Sequence, residues 1–319
     1  MNRFLKRSLV FVCILAVVIS SLGLNPAATV YAYAATMARS AEQGRAAGAE
    51  SAEQEATLEA EAITGTSTKP AITLFASTNV KYWDRKNGKI ATAPAETITA
   101  GMTTWGEAGA EKWYVVNGTV EINTRVTVTG DVHLILADGA QLKAKQGINV
   151  SEENALTIYG QTDEVTSDSG KIEAYGGSMS GIGGTYSKPC GKITITGGIV
   201  DAKSIYDGAG IGGGSDGDGG IITISGGMVW ANSKLSHGIG GGISKENGGQ
   251  NGANGSFSTG ADGKAMIISK SIADKNGQGS WQGIIFEGRN GNVYGNQALT
   301  EDFEIKEGRT LTIPAGSKL

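Results

Sequence analysis

Tyr206–Gly220 reads "YDGAGIGGGSDGDGG", and Gly208, Gly210 and Gly213 fall at the G-x-G-x-x-G spacing of a loop that wraps a dinucleotide pyrophosphate. That reading needs a strand before the loop and an amphipathic helix after it. The chain continues instead with "GGIITISGGMVWA", a turn and then the alternating residues of a strand. Partial copies of the loop occur upstream as "SGIGG" and downstream as "HGIGGG". The context excludes a nucleotide as partner. The glycines answer a demand of the backbone.

Working outward from that loop, three series recur in the same order. Gly181-Ile182-Gly183, Gly210-Ile211-Gly212 and Gly238-Ile239-Gly240 form one series, with Gly147-Ile148 as an earlier member. Gln141–Ala144, Lys171–Ala174, Ile199–Ala202 and Met228–Ala231 form another, apolar at the second place and alanine at the fourth. Leu134–Leu136, Leu156–Ile158, Ile193–Ile195 and Ile222–Ile224 form the third, which Met266–Ile268 continues. Three short strands per unit with inward aliphatics suit one turn of a right-handed parallel β-helix, each coil lying about 4.8 Å from the next. The fold class is therefore all-β, a solenoid.

In-register stacking predicts interior columns of Ile148/Ile182/Ile211/Ile239, Leu142/Ile172/Val200/Val229 and Leu136/Ile158/Ile195/Ile224. Alanines 144, 174, 202 and 231 fall where the chain bends and space is small. Glycine supplies the positive φ that sharp corners between faces need.

The residues "GAGIGGG", "GGIITISGGMVWA" and "LADGAQLKAKQGINVSEENALTIYGQ" resemble the glycine-rich coils of secreted, surface-associated proteins of Gram-positive bacteria. Those are described as pectin-lyase-like β-helices, some of them carbohydrate-binding. The resemblance covers about Thr119 to Gly242, with a weaker continuation. It implies an exported β-helix and a polysaccharide or glycan partner, and it carries no activity with it, because fold alone does not.

The N-terminus agrees with export. Arg3, Lys6 and Arg7 precede the apolar "SLVFVCILAVVISSLGL", and Ala32-Tyr33-Ala34 offers small residues for cleavage, so 1–34 reads as a signal peptide. Cys13 leaves with it, and Cys190 is then the only cysteine, which excludes an internal disulfide. No second long apolar run comes after it, so no transmembrane segment is expected after cleavage. The formal charge is −4, and three of the cations belong to the leader, a balance that disfavours nucleic acid. Residues 35–70 are an Ala/Glu-rich spacer, disordered or loosely helical, with little to bury. Residues 71–112 read as an N-terminal cap or an irregular region, and 113–319 as the β-helix. The pattern stops at "LTIPAGSKL" without an evident polar capping coil, which suggests truncation or an end covered by a partner in the cell envelope.

Register also predicts a site. The third place of the QLKA/KIEA/IVDA/MVWA series points outward, so Lys143, Glu173, Asp201 and Trp230 should line one face. Two carboxylates about 5 Å apart match a retaining glycosidase pair, and an indole is a natural sugar platform. No enclosing cleft is evident to raise one carboxyl for acid work, and a plain solvated face with Lys143 opposing Glu173 explains the same residues. An elimination reaction would cast Lys143 as base, with calcium held by the carboxylates. No catalytic set is therefore assigned; Glu173, Asp201 and Lys143 are the candidates should the chain be an enzyme. Trp230, Glu173, Asp201 and Tyr206 are the candidate glycan contacts. Asp207, Asp216 and Asp218 lie in a loop near the calcium nonapeptide pattern, with Asp216 where a glycine belongs and Gly220 at the aliphatic place. Tyr175, Tyr186, Trp281 and Tyr294 read as scattered exposed aromatics, and His133 and His237 have no acid-plus-nucleophile setting.

Overall fold

The structure is a computed structural model that describes residues 77–244, 250–277, 280–299 and 302–319. The signal peptide read at 1–34 and the spacer read at 35–70 lie outside the described residues. No helix occurs among the described residues, and none is therefore long and apolar enough to cross a membrane.

The described chain opens with an antiparallel hairpin, β1 (Thr78–Asp84) and β2 (Lys89–Thr97), joined by a turn containing Asn87-Gly88. The long strands β3 (Thr104–Val116) and β5 (Val126–Leu136) flank β4 (Thr119–Ile122). Regular coils come next. The first comprises β6 (Gln141–Ala144), β7 (Ile148–Asn149) and β8 (Ala155–Tyr159). The second is β9 (Lys171–Gly176), β10 (Ile182–Gly183) and β11 (Lys192–Ile195). The third is β12 (Ile199–Ser204), β13 (Ile211–Gly212) and β14 (Ile221–Ile224). The fourth is β15 (Met228–Ser233), β16 (Ile239–Gly240) and β17 (Ser256–Ser258). β18 (Met266–Ser269), β19 (Gly283–Glu287), β20 (Asn290–Tyr294) and β21 (Thr310–Thr312) complete the order.

Successive coils pair in parallel, and the β19–β20 pair near the far end is antiparallel. A nine-stranded sheet runs β21-β20-β19-β18-β15-β12-β9-β6-β4, and a twelve-stranded sheet carries the other two faces, joined through β5. The isoleucine column is continuous: Val126 pairs with Ile148, then Ile182, Ile211 and Ile239, with Ile272 beyond. Leu142, Ile172, Val200 and Val229 stack likewise, extended by Val120 and Ile267, and the four alanines stack beside them. The expected members of both columns are fully buried, and each large aliphatic contributes about 1.5–3 kcal/mol by leaving water. That alternation, inward at every second residue, is what makes these segments strands.

Two register expectations are corrected. Ile158 pairs with Leu134, not Leu136, so the third column is Leu134/Ile158/Ile195/Ile224. A shift of two residues keeps the same face inward, so the apolar pattern cannot distinguish the alternatives. Met266–Ile268 does not continue that column either. It pairs with Met228–Trp230, and Ser256–Ser258 takes the place beside β14.

Aromatic rings close the aliphatic interior at both ends. Trp105 and Tyr114 lie on β3, ahead of the first regular coil, with ring centroids 6.4 Å apart. Phe257, Trp281 and Tyr294 meet edge to face at the last, with centroids 5.2 and 5.8 Å apart. Trp281 is buried and Tyr294 packs on the core, so neither is an exposed loop aromatic. The hairpin lies outside the coil and covers Val115 and Ile135 with Ala93 and Ala95.

The glycines serve two purposes. Gly212 has φ +133°, a conformation that side chains rarely adopt. Gly213 has no positive φ, but a Cβ there would lie 1.9 Å from the Gly217 carbonyl oxygen. Close backbone approach, as much as corner geometry, explains the "GIGGG" runs.

Candidate functional site

The outer row of the nine-stranded sheet forms as the repeat predicts. Lys143 pairs with Glu173, Glu173 with Asp201 and Asp201 with Trp230. At about 4.8 Å per rung, the two acids are direct neighbours. Their partners are not those expected. Lys171 Nζ donates to Glu173 Oε1 at 2.7 Å, and Lys203 Nζ donates to Asp201 Oδ2 at 2.7 Å. Each lysine stands two residues from its acid on the same strand, where the pleat returns it to the same face. The ion pairs therefore run along the strands, and Lys143 acts on Glu173 only as a nearby charge.

Gln141 Nε2 also donates to Glu173 Oε1, at 3.0 Å. The hydrogen bond from Lys171 is the main reason the Glu173 carboxyl sits below its ordinary range; burial works against it, and the charges of Lys171 and Lys143 reinforce it. A carboxyl kept anionic in this way is a poor general acid. Asp201 Oδ1 is buried and has no hydrogen-bond partner, so it is not offered to solvent on this face. Beside the acids, the Lys203 ammonium lies 5.3 Å from the centre of the Tyr175 ring.

The other predicted contacts separate. Trp230 packs against a second apolar cluster of Met266, Ile268, Ile284, Phe286 and Val293, which also receives Phe303 and Leu311. Its indole is partly committed to that packing. Tyr206 falls beyond the end of β12, in an exposed loop, and so outside the row of acids. Tyr175, read as an exposed loop aromatic, lies instead half-buried on β9, two residues from Glu173 on the same face.

The acidic loop does not gather its carboxylates into one cluster. Asp207 is buried, Asp218 Oδ1 accepts the Ala253 backbone N–H at 2.7 Å, and Asp216 has φ 60° with a buried, unbonded Oδ1. Among the described residues, no three His, Cys, Asp or Glu side chains are placed to hold a metal ion. Cys190 is buried, which pushes its thiol up to about 12.

Sequence reasoning missed a further constellation, on the outer face of the twelve-stranded sheet. Trp113 pairs with His133, and His133 with Thr157. The Trp113 and His133 rings stack with centroids 4.3 Å apart, and Tyr159 stacks on Trp113 at 5.3 Å. Tyr82, from the hairpin, closes over Trp113 and Tyr159 at 4.9 and 4.8 Å. His133 Nδ1 and the Tyr159 hydroxyl are 2.8 Å apart. Burial pushes the tyrosine up, so its hydroxyl keeps its proton. His133 Nε2 faces Asp131 at 3.6 Å and Glu111 at 4.0 Å without a hydrogen bond. Burial, its largest influence, holds the imidazole below its ordinary value against the pull of both acids. The rings spend their faces on one another, so the group is a clasp between hairpin and coil. The two-residue register error hid it, because that alignment set Ile135, not His133, beside Thr157.

With this geometry in place, the comparisons with known proteins concern the coils. Residues 193–215 and 222–243 match a family described as a β-helix repeat. These segments run through β11–β13, from the second coil into the third, and β14–β16, from the third into the fourth, where the register is most regular. No curated protein and no solved structure matches the chain.

Proposed function

We propose that the chain is an exported, right-handed β-helical scaffold with a structural or adhesive role. It acts outside the cell or at its surface, in a Gram-positive bacterium, and presents the outer face of the nine-stranded sheet to a polysaccharide or host glycan. The right hand is that of parallel strand crossovers in general. The observation that carries the binding reading is the arrangement of Glu173 and Asp201. They are adjacent on a rigid sheet, each held by its own lysine, with Tyr175 beside them. Paired charges and amides at coil spacing offer donors and acceptors to sugar hydroxyls, and the tyrosine offers an apolar ring.

The rival reading is a polysaccharide hydrolase or lyase using Glu173 and Asp201, with Lys143 as a base. It draws on the short separation of the two acids. The lowered Glu173 speaks against it. Incubating the exported chain with plant and host glycans separates the two. Retention on a glycan column without new reducing ends or unsaturated products, weakened by Asp201→Asn and by Tyr175→Ala, is the expected result. Cleavage abolished by Glu173→Gln would transfer the site to the enzyme reading. Retention on no glycan would leave a scaffold alone.

A further inference from the structure

The loops beyond the ends of β12 and β15 build a surface that the glycan reading does not use. Ile205 and Tyr206 are 54% and 48% exposed, and Leu235 is 51% exposed. They form one patch. The Leu235 backbone N–H donates to the Tyr206 carbonyl at 3.2 Å, and the Ser233 hydroxyl donates to the carbonyls of Tyr206 and Gly208. The loops are therefore pinned to one another, coil on coil, and the apolar side chains are held out in water by a fixed backbone. Three exposed large apolar residues on two adjacent, backbone-bonded loops are unlike the singly scattered ones of an ordinary surface.

The charges around the patch are cationic. Lys234 sits beside Leu235 in the exposed loop, and Lys270 comes from the next coil. The Lys270 ammonium donates to the carbonyls of Lys234, Leu235 and Ser236 at 3.0, 3.2 and 2.9 Å, which fixes both the loop and a positive charge beneath it. Asp201 pairs with Lys203, Asp207 is buried, and Glu287, opposite Ser269 on the neighbouring strand, accepts the Ile272 backbone N–H at 2.9 Å.

We infer that this corner is a docking surface for an anionic lipid surface. Aliphatic tips with a tyrosine suit the boundary between headgroups and acyl chains, where the ring is apolar and its hydroxyl stays wet. Lysines flanking them suit anionic headgroups, each worth about a fivefold gain in partition. A protein partner fits less well, because lysine is depleted from protein interfaces. A sugar fits less well too, since stacking uses aromatic rings and not isoleucine or leucine.

The test is sedimentation of the exported chain with phosphatidylcholine vesicles, with and without phosphatidylglycerol. The expected result is binding that depends on the anionic lipid and falls more than tenfold in Ile205→Ser/Tyr206→Ser/Leu235→Ser. Lys234→Glu should lower binding to the anionic vesicles alone. These residues are exposed loop positions, and an unchanged melting temperature verifies that the variants fold. The rest of the chain is common to all variants, so lipid affinity residing elsewhere does not enter the difference. No binding, or equal binding by the triple variant, overturns the inference. Concentration-dependent self-association that the triple variant abolishes, without vesicle binding, assigns the patch to a second copy and overturns it as well.

Discussion

Replacing Gly212 by alanine tests the coil stacking at a point of close backbone approach. The residue has φ +133°, and a Cβ built there would lie 2.0 Å from the Gly240 carbonyl oxygen and 3.0 Å from its carbon, both backbone atoms of the next coil. Holding a side chain at such a φ costs about 1–3 kcal/mol, and forcing adjacent backbone apart costs about as much again. Gly212→Ala should therefore lose roughly 2–6 kcal/mol. Gly88 is the control. It also has positive φ, +60°, but nothing lies within 4 Å of a Cβ there, so Gly88→Ala should lose only about 1–2 kcal/mol. Urea titration followed by circular dichroism measures the difference as a shift in midpoint. Amide exchange adds the location, because repeats are stabilised mainly by their neighbours and protection should fall first at Ile182, Ile211 and Ile239. Equal losses for the two variants, or unchanged protection at those isoleucines, would refute the stacking argument.

Two other outcomes concern the buried polar groups. His133 is held below its ordinary value, so the folded state resists its protonation while the unfolded state accepts it; stability is full above about pH 6.5 and falls as pH drops from there toward the folded value. His133→Phe should flatten the fall of the urea midpoint between about pH 7 and pH 5, and parallel curves for the two proteins would count against the clasp. Arg125 donates to the carbonyls of Gln146, Ser180 and Gly184 at 2.8, 2.9 and 3.2 Å, and burial pulls its guanidinium down to about 10. Arg125→Met strands those acceptors at about 1–3 kcal/mol each, and Arg125→Lys should recover part of the loss; a melting temperature unmoved by Arg125→Met would show that water replaces the guanidinium.

How far the fold could be read in advance depended on whether a residue repeats. Ile182, Ile211 and Ile239, and the row Glu173, Asp201 and Trp230, recur with near-constant spacing, so their columns can be read from the sequence alone. Leu134 and Leu136 both point inward, and no apolar pattern can choose between registers that differ by two. Elements without a repeat were less legible. The hairpin carried a visible Asn-Gly turn signal, yet nothing in it announced the face it covers. Phe303 and Leu311, which crowd the Trp230 neighbourhood, belong to no series. The site suffered for the same reasons. Its acids were aligned correctly, but their lysine partners depend on side-chain reach along a strand, and Trp230 depends on a covering segment.

The hairpin has a mechanical consequence. Trp83 N–H bonds the Gly160 carbonyl at the end of the first regular coil, and Arg85 Nε bonds the Thr196 carbonyl at the end of the second. The same guanidinium grips Asp163 at 2.7 Å and reaches the third coil, where a Cβ on Gly226 would lie 2.3 Å from it. A plain stack of coils pulled apart along its axis yields one rung at a time, each break as weak as the last. A strut bonded to two rungs and lying against a third makes that stretch fail as a block, so tension should peel the unbraced coils first and leave the braced segment until its fastening slips.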